Sequence, residues 1–248
     1  MSPLRWIALC VACCASYTAF AQPNTKIDDA ALQIIRAQFP KARVDSTSSG
    51  TLDDSGNRYL AAVINDYDNA SDRLVLLRYG GADWRLVVAS KSWQWTGYRQ
   101  SLDVEIKSKT VLLSMSGPGS CCSWQTEIWK FLERGDQFPL AGMESRDYGF
   151  TGPDGDDRIT AYERGKSINH LSGQVIDWCV TGNADLKSYK YGDIGRNKKR
   201  IEKAGRFVDD RQWKISNFDL DDYYNWEDAA PHLCGFLGQD DQCLRKCP

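Results

Sequence analysis

Between residues 58 and 218 the chain is cut into short apolar or alternating segments, rich in Val, Ile, Leu, Tyr and Trp, each closed by turn formers. Alternation with a period of two sends successive side chains to opposite faces of a strand, and runs this short fall below the length of a typical helix. The pattern predicts strands near 58–65, 73–79, 84–91, 102–107, 110–116, 124–132, 138–144, 157–163, 174–180 and 212–218. The connections "YGGAD", "KSK", "ERGDQ" and "HLSG" have hairpin length and turn chemistry, and no strand-helix alternation interrupts them. The expected fold is therefore mainly β, an antiparallel meander rather than a parallel sheet.

A shift of 54 residues lays "LVLLRYGGADWRLVV" on "IWKFLERGDQFPLAG", bringing Gly81 onto Gly135, Trp84 onto Phe138 and Leu86 onto Leu140. Two such units would suit propeller-like blades or a duplicated curved sheet. The shift would also make the loops 66–72 and 117–123 equivalent and place them at one end of the sheet.

Ahead of the strands, Ile27, Ala31, Ile34, Ile35 and Phe39 recur at helical spacing and Pro40 ends the run. This predicts one amphipathic α-helix over 24–40, with Thr25 and Asp28 in a capping-box arrangement. Earlier still, Arg5, an apolar run from Trp6 to Ala15 and the small-residue end Ala19-Phe20-Ala21 have the layout of a secretory signal peptide over 1–21. That run is too short and too soon polar for a membrane anchor, and no other segment is apolar enough to span a bilayer. Lipid anchoring through Cys10, Cys13 or Cys14 lacks the Leu-small-small pattern. Cleavage near Ala21 predicts a periplasmic or secreted protein whose residues 22–248 form one β-rich domain with a stapled tail over 219–248.

Removal of the leader leaves Cys121, Cys122, Cys179, Cys234, Cys243 and Cys247, an even set in an oxidising compartment, which reads as disulfides. Cys121 and Cys122 are neighbours. In extended chain their sulfurs diverge, and adjacent Cα atoms, about 3.8 Å apart, are too close for an unstrained bridge. Each then needs a distant partner: Cys179 for one, a tail cysteine for the other, with the last two tail cysteines paired together. The doublet lacks zinc-finger spacing and has no base beside it for thiol catalysis.

The formal net charge is −2, so no global field points to nucleic acid or to a membrane surface. Charge is instead segregated: "LKSYKYGDIGRNKKRIEKAGR" is basic and "VDDRQWKISNFDLDDYYNWED" is acidic. Their simplest reading is a solvated loop beside an acidic tail. His170 and His232 sit in no catalytic motif. Asp66, Asp68 and Asp72 in one loop, and Asp154, Asp156, Asp157 and Glu163 in another, offer oxygens to Ca²⁺, but both miss the EF-hand spacing. No cofactor is expected.

"SGNRY", Ser55 to Tyr59, resembles the S-G-x-x-Y element of the periplasmic lysozyme inhibitors, although the Thr-Lys-Gly element of that family is absent. "GGADWRLVVAS" and "SINHLSGQVIDW" look like segments of exported β-rich bacterial proteins, some of which serve as immunity proteins against peptidoglycan hydrolases. The resemblance implies a non-catalytic binding protein whose partner is another exported protein, such as a cell-wall hydrolase. Asp66 and Asp68, with Trp93, Trp95 and Tyr98 in "SWQWTGY", are the candidate partner-binding residues, because Trp and Tyr anchor interfaces and acidic loops can block a cleft. The alternatives are a glycan hydrolase using paired carboxylates and a structural envelope protein.

Overall fold

The computed structural model describes residues 28–229 except 67, 95–100, 119–122, 152–157, 191 and 207–210. The expected leader, Trp95, Tyr98, Cys121, Cys122, Cys234, Cys243, Cys247, His232, Asp154, Asp156 and Asp157 lie outside the described residues.

The fold is mainly β and antiparallel throughout, as the alternation requires. A five-stranded sheet holds β1 (Ala42–Thr51), β2 (Arg58–Asp66), β3 (Ser71–Tyr79) and β4 (Trp84–Ala89) in that order, with the short β5 (Trp93–Gln94) pairing the far end of β3. A seven-stranded sheet follows as an unbroken meander: β6 (Ser101–Lys107), β7 (Thr110–Pro118), β8 (Ser123–Leu132), β9 (Leu140–Thr151), β10 (Arg158–Asn169), β11 (Gln174–Asp185) and β12 (Arg196–Arg206). Sheets of five and seven strands are not two matching blades. What survives of the 54-residue shift is local: Gly81 and Gly135 both take positive φ in tight turns, the conformation that favours glycine.

The first helix, α1 (Asp29–Gln38), is shorter than predicted. Its N-cap is Asp28, whose carboxylate accepts the Ala30 N–H at 3.0 Å and the Trp84 indole N–H at 3.0 Å. Asp28 thus ends the helix and ties it to β4 at one stroke. A second helix, α2 (Leu220–Ala229), follows a 3₁₀ turn at Ile215–Asn217. Both fall where strand 212–218 and an acidic tail were expected. Leu220, Tyr223 and Trp226 recur at helical spacing and are buried, so Asp221 and Asp222 occupy the solvent side of a packed helix.

Two apolar clusters follow from strand alternation. On one face of the small sheet, Leu60, Ala62, Ile64, Val75 and Leu77 pack against Ala31 and Ile35 of α1. On the other face, Tyr59, Ala61, Val63, Leu74 and Leu76 meet Leu113, Trp129, Phe131, Met143, Ile168 and Val175 of the large sheet. The 3₁₀ turn and α2 are wedged into that second cluster, where Phe218 is ringed edge-on by Trp93, Trp129, Phe131 and Trp213. The indole N–H groups of Trp93, Trp129 and Trp213 have no hydrogen-bond partner, a cost outweighed by the large apolar area each ring buries.

The edges of the sheets are treated differently. A bulge at Asp45 shifts the register of β1, and Ser46 and Ser48 then accept the N–H groups of Val104 and Ile106 of β6 at 3.2 and 2.9 Å. Gly50 continues this approach, since a Cβ there would meet the Ile106 side chain. Serine hydroxyls therefore stand in for a neighbouring strand and close one edge of the large sheet. The opposite edge is β12, formed by the basic tract that lacks apolar alternation and reads as a loop in sequence.

Candidate functional site

The outer face of the large sheet, turned away from the core, carries charged and aromatic side chains in a register that sequence spacing does not reveal. Arg146 of β9 pairs with Gly165 of β10, Gly165 with Trp178 of β11, and Trp178 with Glu202 of β12. These four residues form one row across the sheet. Gly165 is what lets the row pack: a Cβ at that position would run into the Trp178 ring, so the indole leans over a bare backbone toward β9. The Arg146 guanidinium then lies 5.9 Å from the ring centroid, and Arg200 of the neighbouring row lies 5.7 Å from it. Flanked by both, Trp178 is only 6% exposed.

Carboxylates hold the two arginines in place. Arg146 donates from Nε to Glu144 at 2.8 Å and lies 3.6 Å from Glu163, while Lys130 approaches Glu144 from the other side at 3.4 Å. The Trp178 indole N–H donates to Glu163 at 3.2 Å, and Arg200 donates to Glu202 at 3.0 and 2.6 Å. Three cations thus meet three carboxylates around one indole, and the array is close to neutral. Burial pushes the Glu144 carboxyl up, but the hydrogen bonds and charge of Arg146, aided by Lys130, outweigh it and hold the group below its ordinary value. The Tyr148 hydroxyl and Glu144 together keep Arg146 more firmly protonated than usual. A general acid needs the opposite, a carboxyl raised toward neutrality. Glu144 and Glu163 share one guanidinium and so are suited to orienting Arg146 rather than to cleaving a glycosidic bond.

The residues singled out by sequence are dispersed. Asp66 is folded into its own turn, accepting the Asp68 N–H at 3.2 Å and the Asn69 side chain at 2.7 Å. Asp68 is exposed and pairs with Lys41 at 2.9 Å. Asp72 is buried and accepts the Asn65 side-chain amide at 2.7 Å. The three carboxylates do not converge, and among the described residues no cluster of metal-ligating side chains is present. Trp93 is fully buried. Its expected place on a docking surface is corrected to a wall of the core, which follows because β5 turns its ring toward Phe218. A cleft of about 470 Å³ does open beside Asp66, lined by Phe39, Lys41, Ile64, Asn69, Arg73 and Gln94 among others. Its basic groups are committed, Lys41 to Asp68 and Arg73 to the Ser90 carbonyl.

The "SGNRY" element is likewise absorbed by structure. Asp53 accepts the Ser55 N–H and hydroxyl, the Asn57 amide at 3.2 Å and the Tyr59 hydroxyl at 2.8 Å, with Gly56 at φ +76° completing the turn between β1 and β2. The Ser55 bond, with those of Tyr59 and Asn57, pulls the Asp53 pKa down to about 2. His170 bonds the Tyr223 hydroxyl at 3.0 Å and packs on Trp226, fastening α2 to the end of β10. Cys179 lies buried on the inner face of β11.

Sequence reasoning missed Arg146, Glu144, Glu163, Trp178 and Arg200 as a group. The available signal was the glycine in "YERGKS", a break in an otherwise strand-like segment that marks close approach by a neighbouring side chain. Comparison with known protein families, with curated proteins and with solved structures finds no match to the chain.

Proposed function

We propose that this protein is an exported, non-catalytic binding protein that docks another exported protein on the outer face of its seven-stranded sheet. The most concrete partner class is a cell-wall hydrolase, blocked sterically. The observation that carries the reading is the preassembled Arg146–Trp178–Arg200 stack on a solvent-facing sheet. Arg is a residue that anchors interfaces; Trp178, buried beneath the two guanidiniums, props them, and side chains already fixed by carboxylates lose little further freedom when a partner arrives. Neutral charge within the array favours recognition by shape and hydrogen bonding over long-range attraction. Disulfides through Cys121, Cys122, Cys179, Cys234, Cys243 and Cys247 would stiffen the same sheet in an oxidising compartment.

The test is to titrate the mature protein against purified peptidoglycan hydrolases and to follow both complex formation and inhibition. Arg146→Glu should weaken a complex by tenfold or more, since it reverses the central charge and leaves Glu144 and Glu163 without their shared cation. A complex indifferent to Arg146→Glu, or no complex with any hydrolase, speaks against this reading. Turnover of a glycan that Glu163→Gln abolishes would favour the carboxylate enzyme in its place.

A further inference from the structure

We infer that β12 is the acceptor edge for an acidic, extended segment of the partner, which adds to the sheet as an eighth strand. This rests on the docking reading above and names the kind of segment involved. Among the described residues β12 is the last strand of the large sheet and pairs only with β11, so from Lys199 to Arg206, past the register shift at Asn197, alternate N–H and C=O groups point away from the sheet. The other edge of that sheet is closed by Ser46 and Ser48. In the sequence RNKKRIEKAGR six side chains are cationic and one, Glu202, is acidic, and Arg200 holds that acid. Arg196, Lys198 and Lys199 are exposed.

Charge selects the occupant. A second copy adding edge to edge would set cation against cation, which is destabilising for directly opposed pairs. The chain's own acidic tract at 219–222 leads into α2, whose Leu220 and Tyr223 are buried in the core, so it is not free to extend. A partner strand with Asp or Glu at alternate positions would instead match both the backbone groups and the cations of β12, the mode of recognition known as strand addition.

The experiment uses the full mature protein and a ten-residue peptide alternating Glu with Val or Thr, measured by calorimetry and by amide exchange. The acidic peptide should bind and slow exchange of the outward amides of β12, while its lysine counterpart should not bind. N-methylation at alternate peptide residues should abolish binding, and Lys198→Glu with Lys199→Glu should weaken it at least tenfold. Both lysines are surface residues, so circular dichroism and the unfolding midpoint should match the parent. No binding, binding that survives N-methylation, or concentration-dependent self-association through β12 would each overturn the inference. A hydrolase complex unaffected by the lysine reversals would sink the edge and leave the docking reading standing. Peptide binding without any hydrolase complex would do the reverse.

Discussion

In the small sheet, β2 and β3 bury side chains on both faces, one set against α1 and the other against the large sheet. In the large sheet the inner face packs against the small sheet, while the outer face mixes charged residues and glycine with Trp124, Tyr148, Trp178 and aliphatic side chains such as Ile159 and Ile176. The same antiparallel ladder therefore serves two ends. A strand with two buried faces has no position left for chemistry, because each side chain must be apolar and of the right volume. A strand with one free face can carry polar groups whose spacing is set by the ladder underneath, which is how Arg146, Gly165 and Trp178 come into line. The small sheet is covered on both faces, whereas the large sheet keeps one face on which polar groups can be set side by side.

Leu76→Ala tests this division most severely. Leu76 has no exposed surface, and its truncation should cost about 2–5 kcal/mol in urea unfolding. Ile176→Ala, on the outer face of β11, should cost under about 1.5 kcal/mol, since that side chain is only partly buried. Equal losses at the two sites would erase the distinction between the sheets.

Gly165→Ala should cost about 1–3 kcal/mol, more than a glycine replacement in a strand otherwise warrants, because the Trp178 ring must move off the new Cβ. Binding through the Arg146–Trp178–Arg200 stack should fall with it. A neutral or stabilising outcome would show that the indole does not lean on β10.

The turn at Asp53 should give a pH dependence of definite sign. Its carboxyl titrates lower in the folded chain than in the unfolded one, so its contribution is complete above the ordinary value near 3.8 and is lost as the pH falls through about 2. Unfolding midpoints measured between pH 5 and pH 2 should therefore drop, and Asp53→Asn should flatten this part of the slope. At neutral pH, Tyr59→Phe should cost about 1 kcal/mol through the lost bond to Asp53.

The smallest effect belongs to the outer face. A double-mutant cycle on Glu144 and Arg146 should return a coupling of about 0–1 kcal/mol, because Arg146 is 43% exposed and water screens the pair. A coupling of several kcal/mol would mean that the outer array is structural rather than held in reserve for a partner.

These contrasts also explain what could be read from sequence. β2, β3, β7 and β8 are apolar or cleanly alternating, and their expected limits differ from the observed ones by at most two residues. β9, β10 and β11 run on past their expected ends through 145–151, 164–169 and 181–185, where polar residues and glycines outnumber isolated apolar ones such as Phe150 and Ile168 and weaken the alternation, but the ladder continues. β1 is hidden for the same reason, since "STSSGT" uses hydroxyls to contact its neighbour. β12 is hidden by its cations. Helix α2 was legible in the spacing of Leu220, Tyr223 and Trp226, and the density of acids around them masked it. Of the outer array only the break at Gly165 was legible, because periodicity assigns a residue to a face while only register places it beside residues of other strands.

The seam between β1 and β6 has a consequence for the order in which the molecule assembles. In the seven-strand meander each hairpin can close as soon as its own two arms exist, so the entropy lost at each closure is small. The bond from Val104 to the Ser46 hydroxyl spans 58 positions, and it cannot begin until β1 and the first hairpin of the large sheet have both taken shape. Contact order therefore puts the joining of the sheets after closure of the hairpins, and until the sheets join the β6 border offers its unpaired backbone groups to other chains.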